Sequence, residues 1–270
     1  MKTIKSVGLI LLFSILLVSC DKVFEYSPYS ANVPEKMENT TQENLDKIQE
    51  IANELPAESR LKIAFISDNH LNYNDLDNAV DAINRDSEVL FTIHAGDMTD
   101  GGMLAEYMIF RNITEKLHQP YLTVIGNHDC LANGEIIYKS IFGKENYTLI
   151  FKGNKFIFFN DIIWELNDRE PDFLWLRNEL SDFHSYRHVF VVTHIPPWSD
   201  QYSPFQTFSY KSMMYDSQIA VSIHGHHHDS YLGPYFNDSI QYLVVGSVDK
   251  KSYYELTIEA DTFELKKVSF

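Results

Sequence analysis

The chain has 270 residues, 44% of them hydrophobic and 14% aromatic, with 38 acidic and 22 basic side chains. That composition excludes a disordered chain and suits one or two packed domains. The formal charge of −16 argues against a general nucleic-acid binder, and two cysteines cannot build a disulfide framework.

Lys2 and Lys5 precede an apolar run of twelve residues, Val7 to Val18. A bilayer core of about 30 Å takes roughly 20 apolar residues to cross, so this run is too short to span it. It matches the core of a signal peptide, and residues 1–19 are expected to be cleaved. The run ends in Leu17-Val18-Ser19-Cys20, which resembles the bacterial lipobox. That resemblance makes Cys20 the lipidated first residue of a protein held at the bacterial cell envelope, outside the cytoplasm. Cleavage removes two lysines and takes the charge from −16 to −18. Cys130 is then without a disulfide partner and reads as a small buried residue.

Residues 21–39 contain Pro28 and Pro34 with no apolar period and read as a tether. Thr40 and Glu43 stand at capping-box spacing. Leu45, Ile48, Ile51 and Leu55 follow at helical intervals. They predict a helix on the outside of the main domain, ended by Pro56. Residues 20–59 therefore read as tether and helix, and 60–270 as one domain.

Strand-length apolar runs occupy 61–67, 89–95, 121–125, 188–193 and 219–223. Helical stretches fall between them, near 75–86, 102–117, 133–142 and 171–182. Phe151-Lys152-Gly153-Asn154-Lys155-Phe156 predicts a tight hairpin turn joining two apolar strands. Residues 240–247, 252–259 and 262–270 predict three more strands, with Tyr254, Leu256 and Ile258 on one face. Alternating strands and helices with added hairpins predict an α/β fold with a pair of mixed sheets.

Each of the five runs from residue 61 to 223 ends in polar residues. They are Asp68-Asn69-His70, Gly96-Asp97, Gly126-Asn127-His128-Asp129, His194, and His224-Gly225-His226-His227-His228. In open α/β sheets, ligands gather at the carboxyl ends of strands. These ends would bring carboxylates, an amide and imidazoles together, with no thiolate. Such donors suit Mn, Fe, Zn or Ni. The glycines before Asp97, Asn127 and His226 fit a backbone that bends sharply beside the site.

This series resembles the calcineurin-like metallophosphoesterases, whose motifs run D-x-H, G-D, G-N-H-D/E, H and G-H-x-H. The resemblance covers about residues 61–230 and implies a four-layer α/β/β/α sandwich of two mixed β-sheets. It implies two divalent or trivalent metal ions, one held by Asp68, His70 and His228, the other by Asn127, His194 and His226. Asp97 would bridge them. It further implies hydrolysis of a phosphodiester or monoester by a metal-bridging hydroxide. His128 would be the general acid, with Asp100 as its carboxylate partner. Asp100 also reads as a turn or cap residue, and Asp129 as structural. The ions would make the site locally positive inside an acidic protein.

Asp100 stands where purple acid phosphatases place a tyrosine ligand, and Gly101 where protein phosphatases place an arginine. The resemblance is therefore to compact phosphodiesterases and monoesterases. Trp198, Tyr202, Phe205, Phe208 and Tyr210 crowd the segment between His194 and His226. Trp198, Tyr202 and Phe205 are candidates to line a substrate loop, and packing the loop onto the domain is the other reading. The expected partners are a small phosphate ester and, through Cys20, a membrane. No nucleic-acid polymer is expected, and protein partners are not indicated. The alternative function is a catalytically silent ligand- or partner-binding lipoprotein on the same fold.

Overall fold

The computed structural model describes residues 27–236 and 238–270. The expected signal peptide and Cys20 lie outside the described residues. Eleven strands form two sheets. The first holds β1 (Leu61–Ile66), β2 (Val89–His94), β3 (Tyr121–Thr123), β10 (Ser252–Glu259) and β11 (Thr262–Ser269), in the order β11-β10-β1-β2-β3. The second holds β4 (Tyr147–Phe151), β5 (Asn154–Phe158), β6 (Val189–Val192), β7 (Val221–His224), β8 (Tyr231–Gly233) and β9 (Gln241–Val244), in the order β4-β5-β6-β7-β9-β8. Strands β1, β2 and β3 run parallel, as do β5, β6, β7 and β9. The remaining strands pair antiparallel, so both sheets are mixed.

Alternation along the strands builds the layers. Ile63 and Phe65 of β1 face a core shared with Phe156 and Phe158 of β5 and Phe190 and Val192 of β6. Their neighbours Ala64, Ile66, Ile157 and Val191 join a second core formed with helices. Those helices are α2 (Tyr73–Asn84), α3 (Leu104–Thr114), α4 (Gly134–Phe142), α5 (Phe173–Leu180) and α6 (Pro204–Asp216). The result is two mixed sheets face to face, flanked by helices, as expected. At the predicted hairpin, Lys152 and Gly153 both take positive φ, the conformation a two-residue type I′ turn requires.

Several elements differ from the sequence-based expectation. Helix α1 (Thr40–Glu54) lies on the outside as expected, with Gln42, Glu43, Asp46, Lys47, Gln49 and Glu50 exposed, but its inner face reaches deeper than a surface helix need. Its Ile48 and Ala52 enter the core between the sheets, beside the edge strands β3 and β4. It closes one open side of the sandwich, and Lys152 Nζ donates to the Ala52 and Leu55 carbonyls at its end. The predicted capping box is absent. Asn39, in left-handed backbone, precedes the helix, and the Thr40 hydroxyl donates back to the Met37 carbonyl. The segment before it packs on the domain as well, with Met37 buried and Ala31 and Val33 against the core. The aromatic segment after His194 folds as α6, where a loop was expected. Ser203, Pro204 and Gln206 supply its capping box and first turn. The short strand β8 had no sequence signal, being three residues at a sheet edge.

Candidate metal centre

The carboxyl ends of β1, β2, β3, β6 and β7 meet at one end of the sandwich, across the seam between the sheets. His194 Nδ1 donates to the Ala95 carbonyl at 2.7 Å, from one sheet to the other. The His226 amide donates to Asp68 Oδ1 at 2.9 Å. The strand ends turn abruptly. Asp68, His70, Asp97 and His226 all have positive φ, between 43° and 66°, which costs non-glycine residues about 1–3 kcal/mol each. Aspartate and histidine are among the side-chain types that tolerate this conformation best.

Two groups of donors result. The ligating atoms of Asp68, His70 and His228 lie within 4.8 Å of one another, and so do those of Asp97, His194 and His226. Asn127 Oδ1 joins the second group, 3.2 Å from His194 Nε2 and 3.0 Å from His226 Nδ1. Asp97 links them. Its Oδ2 lies 3.2 Å from His194 Nε2 and 3.6 Å from His70 Nε2. The seven sequence-predicted metal residues are thus together. His128 is among them too, forming a third group with His70 and Asp97.

These donors fit a cation. Both ring nitrogens of His70 are buried with no hydrogen-bond partner among the described residues. Buried polar atoms are ordinarily partnered, so this pair fits residues that serve a cation. Burial lowers the His70 and His226 imidazoles, the latter to about 3, which keeps them neutral and able to ligate. Burial raises Asp68 to about 7, a cost that a neighbouring cation would remove. Burial opposes the charges of Asp97 and His194 as well, yet their proximity wins. Asp97 falls well below the usual carboxylate range and His194 rises to about 10.

The glycines let the loops approach. A Cβ on Gly126 would stand 2.1 Å from the Asp97 amide nitrogen. One on Gly96, where φ is 95°, would stand 2.4 Å from His194 Nδ1.

His128 is anchored by its backbone, whose N–H donates to Asp97 Oδ1 at 2.9 Å. Its Nδ1 lies 2.8 Å from the Asp100 carbonyl oxygen and 3.9 Å from the Asp100 carboxylate. The expected carboxylate partner of His128 therefore acts through its main chain. The Asp100 side chain is half exposed and lies 3.6 Å from His70 Nδ1.

The three aromatic candidates separate. Tyr202 is buried, and its hydroxyl donates to Asp161 Oδ2 at 3.1 Å, so it belongs to the core and not to a substrate loop. Phe205 is exposed in the first turn of α6. Trp198 is half-buried and stacks on Tyr235, with ring centroids 4.0 Å apart. Its neighbour Ser199 reaches His226 Nε2 at 3.5 Å.

Sequence reasoning missed the supports beneath the donors. Asp161 accepts from the His194 and Ile195 amides. It follows the apolar run Phe156–Phe159, so the strand-end signal used for the other clusters would have found it. Asn69 donates to the His70 and Met98 carbonyls, and its Oδ1 lies 2.9 Å from His94 Nε2. His94 is a buried strut joining two of the loops. Glu165 accepts from Asn127 Nδ2 at 3.1 Å and had no signal.

Two mixed sheets carrying this donor set at their shared end make an α/β fold able to hold metal ions. The family model for calcineurin-like phosphoesterases matches residues 61–230. The chain belongs to that family. Its membership and the grouped histidines and aspartates support metal-dependent hydrolysis of phosphate esters. No curated protein matches in sequence. Among solved structures, purple acid phosphatase PPD1 from yellow lupin seeds aligns with a TM-score of 0.64 at 12% identity, over 80% of this chain and 52% of that one. GAP50, the anchor in the inner membrane complex of Plasmodium, aligns at 0.60 and 16% identity, over 78% and 84%. TT1561 of Thermus thermophilus aligns at 0.51 and 12%, over 77% and 99%. The chain spans about half the length of the lupin phosphatase, and at these identities the likeness is of fold.

Proposed function

We propose that this chain hydrolyses a small phosphodiester or monoester on two metal ions, and that it does so from a lipid anchor at the cell envelope. One observation carries the two-ion reading: the Asp97 carboxylate lies within 3.6 Å of one histidine from each donor group. Both approaches are made by Oδ2, while Oδ1 accepts the His128 N–H, and one carboxylate oxygen has lone pairs enough to serve two cations, which an imidazole nitrogen does not. Asp68, His70 and His228 would hold one ion, and Asn127, His194 and His226 the other. Ions there supply Lewis-acid charge for phosphate oxygens and acidify water.

The protein's own groups do the rest. His194 gives its Nδ1 proton to the Ala95 carbonyl, so Nε2 is the nitrogen left for the site. His128 is fixed in the same way. Its Nδ1–H donates to the Asp100 carbonyl, which leaves Nε2 to carry a proton toward a departing alkoxide. Half-exposed, it stays in reach of a substrate and of solvent protons.

The purified chain, loaded with Mn²⁺, should turn over members of a panel of cyclic nucleotides, aryl diesters, aryl monoesters and sugar phosphates. EDTA should abolish turnover. A metal-loaded protein inert across that panel would favour the silent binding lipoprotein.

A further inference from the structure

Asn127 is an ambiguous ligand by itself. Its amide presents an oxygen, which can face a cation, and an NH₂, which cannot. The two are nearly equal in shape, so packing alone chooses poorly between them. Something must hold the oxygen toward His194 and His226.

Glu165 has the chemistry to do it. It sits in a single turn, Trp164–Leu166, within the connection between β5 and α5. That turn packs on the His128–Cys130 turn that follows Asn127. Glu165 Oε1 lies 3.1 Å from Asn127 Nδ2, on the side of the amide away from the histidines. An ionised carboxylate only accepts hydrogen bonds. It therefore admits one amide orientation, with NH₂ toward Glu165 and Oδ1 toward His194 Nε2 and His226 Nδ1. The flipped amide would set oxygen against oxygen. Its Oε2 has no hydrogen-bond partner, so the Asn127 amide is the one side-chain partner of this carboxylate among the described residues.

We propose that Glu165 is a positioning residue that locks the Asn127 amide with its oxygen toward the second cation site. The proposal rests on the two-cation reading above. Removing such an outer partner of a ligand typically weakens metal binding 10–100-fold.

The test is calorimetric titration of the chelator-stripped full chain with Mn²⁺. Glu165→Ala should weaken one of two Mn²⁺ sites about 10–100-fold and leave the other unchanged. Glu165→Gln, which can still present an oxygen to the amide, should recover part of the loss. In the Asn127→Asp background either orientation offers an oxygen, so adding Glu165→Ala should bring no further weakening. Metal-free melting curves should show each variant still unfolding in one cooperative transition. Should Glu165→Ala fail to fold, Glu165→Gln carries the comparison in both backgrounds. Wild-type affinity at both sites in Glu165→Ala, or an equal loss in the Asn127→Asp background, would overturn the proposal. A wild-type protein that binds a single Mn²⁺ or none would instead overturn the two-cation reading.

Discussion

The ring nitrogen Nδ1 of His128 meets the main-chain carbonyl of Asp100 at 2.8 Å, while the Asp100 carboxylate stands 3.9 Å away. The carbonyl sets the tautomer, and it survives any substitution of the side chain. Asp100→Asn should therefore keep turnover within about tenfold of wild type. His128→Asn should lose about 10²-fold or more on esters with poor leaving groups, the usual worth of a positioned acid, and much less on aryl esters. Steady-state rates against leaving-group pKa measure this. Equal losses across leaving groups would remove the acid role.

Asp129 holds two of the loops together. Its carboxylate accepts from the Met98, Thr99 and Gly126 amides and the Thr99 hydroxyl, all between 2.9 and 3.2 Å. Asp129→Ala would leave these buried donors unpaired, and unpaired buried donors cost about 1–3 kcal/mol each. A loss of more than about 3 kcal/mol is expected in urea unfolding. Asp129→Asn, which keeps one accepting oxygen, should lose less.

His94 gives a pH signature. The Gly96 amide donates to its Nδ1 and its Nε2–H donates to Asn69, so the buried ring is neutral. Burial pulls its pKa down to about 3. Unfolded, it titrates near about 6.5. Between those values the unfolded chain binds a proton that the folded chain does not. The stabilisation is complete above about pH 6.5 and is lost as pH falls toward about 3. His94→Gln removes this titration. The stability gap between wild type and variant should narrow by about 1.4 kcal/mol per pH unit between about pH 6 and 4. Urea unfolding of metal-free protein checks it, and a constant gap would contradict a neutral His94.

On the proposed anchoring, Cys20 carries the localisation. Full-length protein expressed in bacteria should sediment with membranes and take up labelled fatty acid, and Cys20→Ala should do neither. Fatty-acid labelling that persists in Cys20→Ala would place the anchor elsewhere.

The strand ends were legible because each strand is an unbroken apolar run stopped by polar residues, as at Ile66 to Asp68 and Ala95 to Asp97. Buried parallel strands force that pattern on the sequence. Other features leave no such trace. Glu165 is one acidic residue in an irregular connection, and its role exists only because folding brings Asn127 to it. The left-handed backbone at Asp68, His70, Asp97 and His226 falls on residue types that tolerate it, but those types occur throughout the chain and do not mark where the loops impose it. Helix α6 was hidden by its aromatics, which point both inward, as Tyr210 does, and outward, as Phe205 and Phe208 do, so they mark no single face. Thr40 and Glu43 satisfied a capping pattern, but the chain enters α1 one residue earlier through Asn39.

On the proposed function, Asp97 joins two cation sites into one catalytic centre. Metal content of the Mn²⁺-loaded chain, measured beside turnover in wild type and Asp97→Ala, tests it most directly. The expected result is two ions per wild-type chain, with both metal occupancy and hydrolysis collapsing together in Asp97→Ala. A single ion in the active wild type, or hydrolysis that survives EDTA, would contradict it.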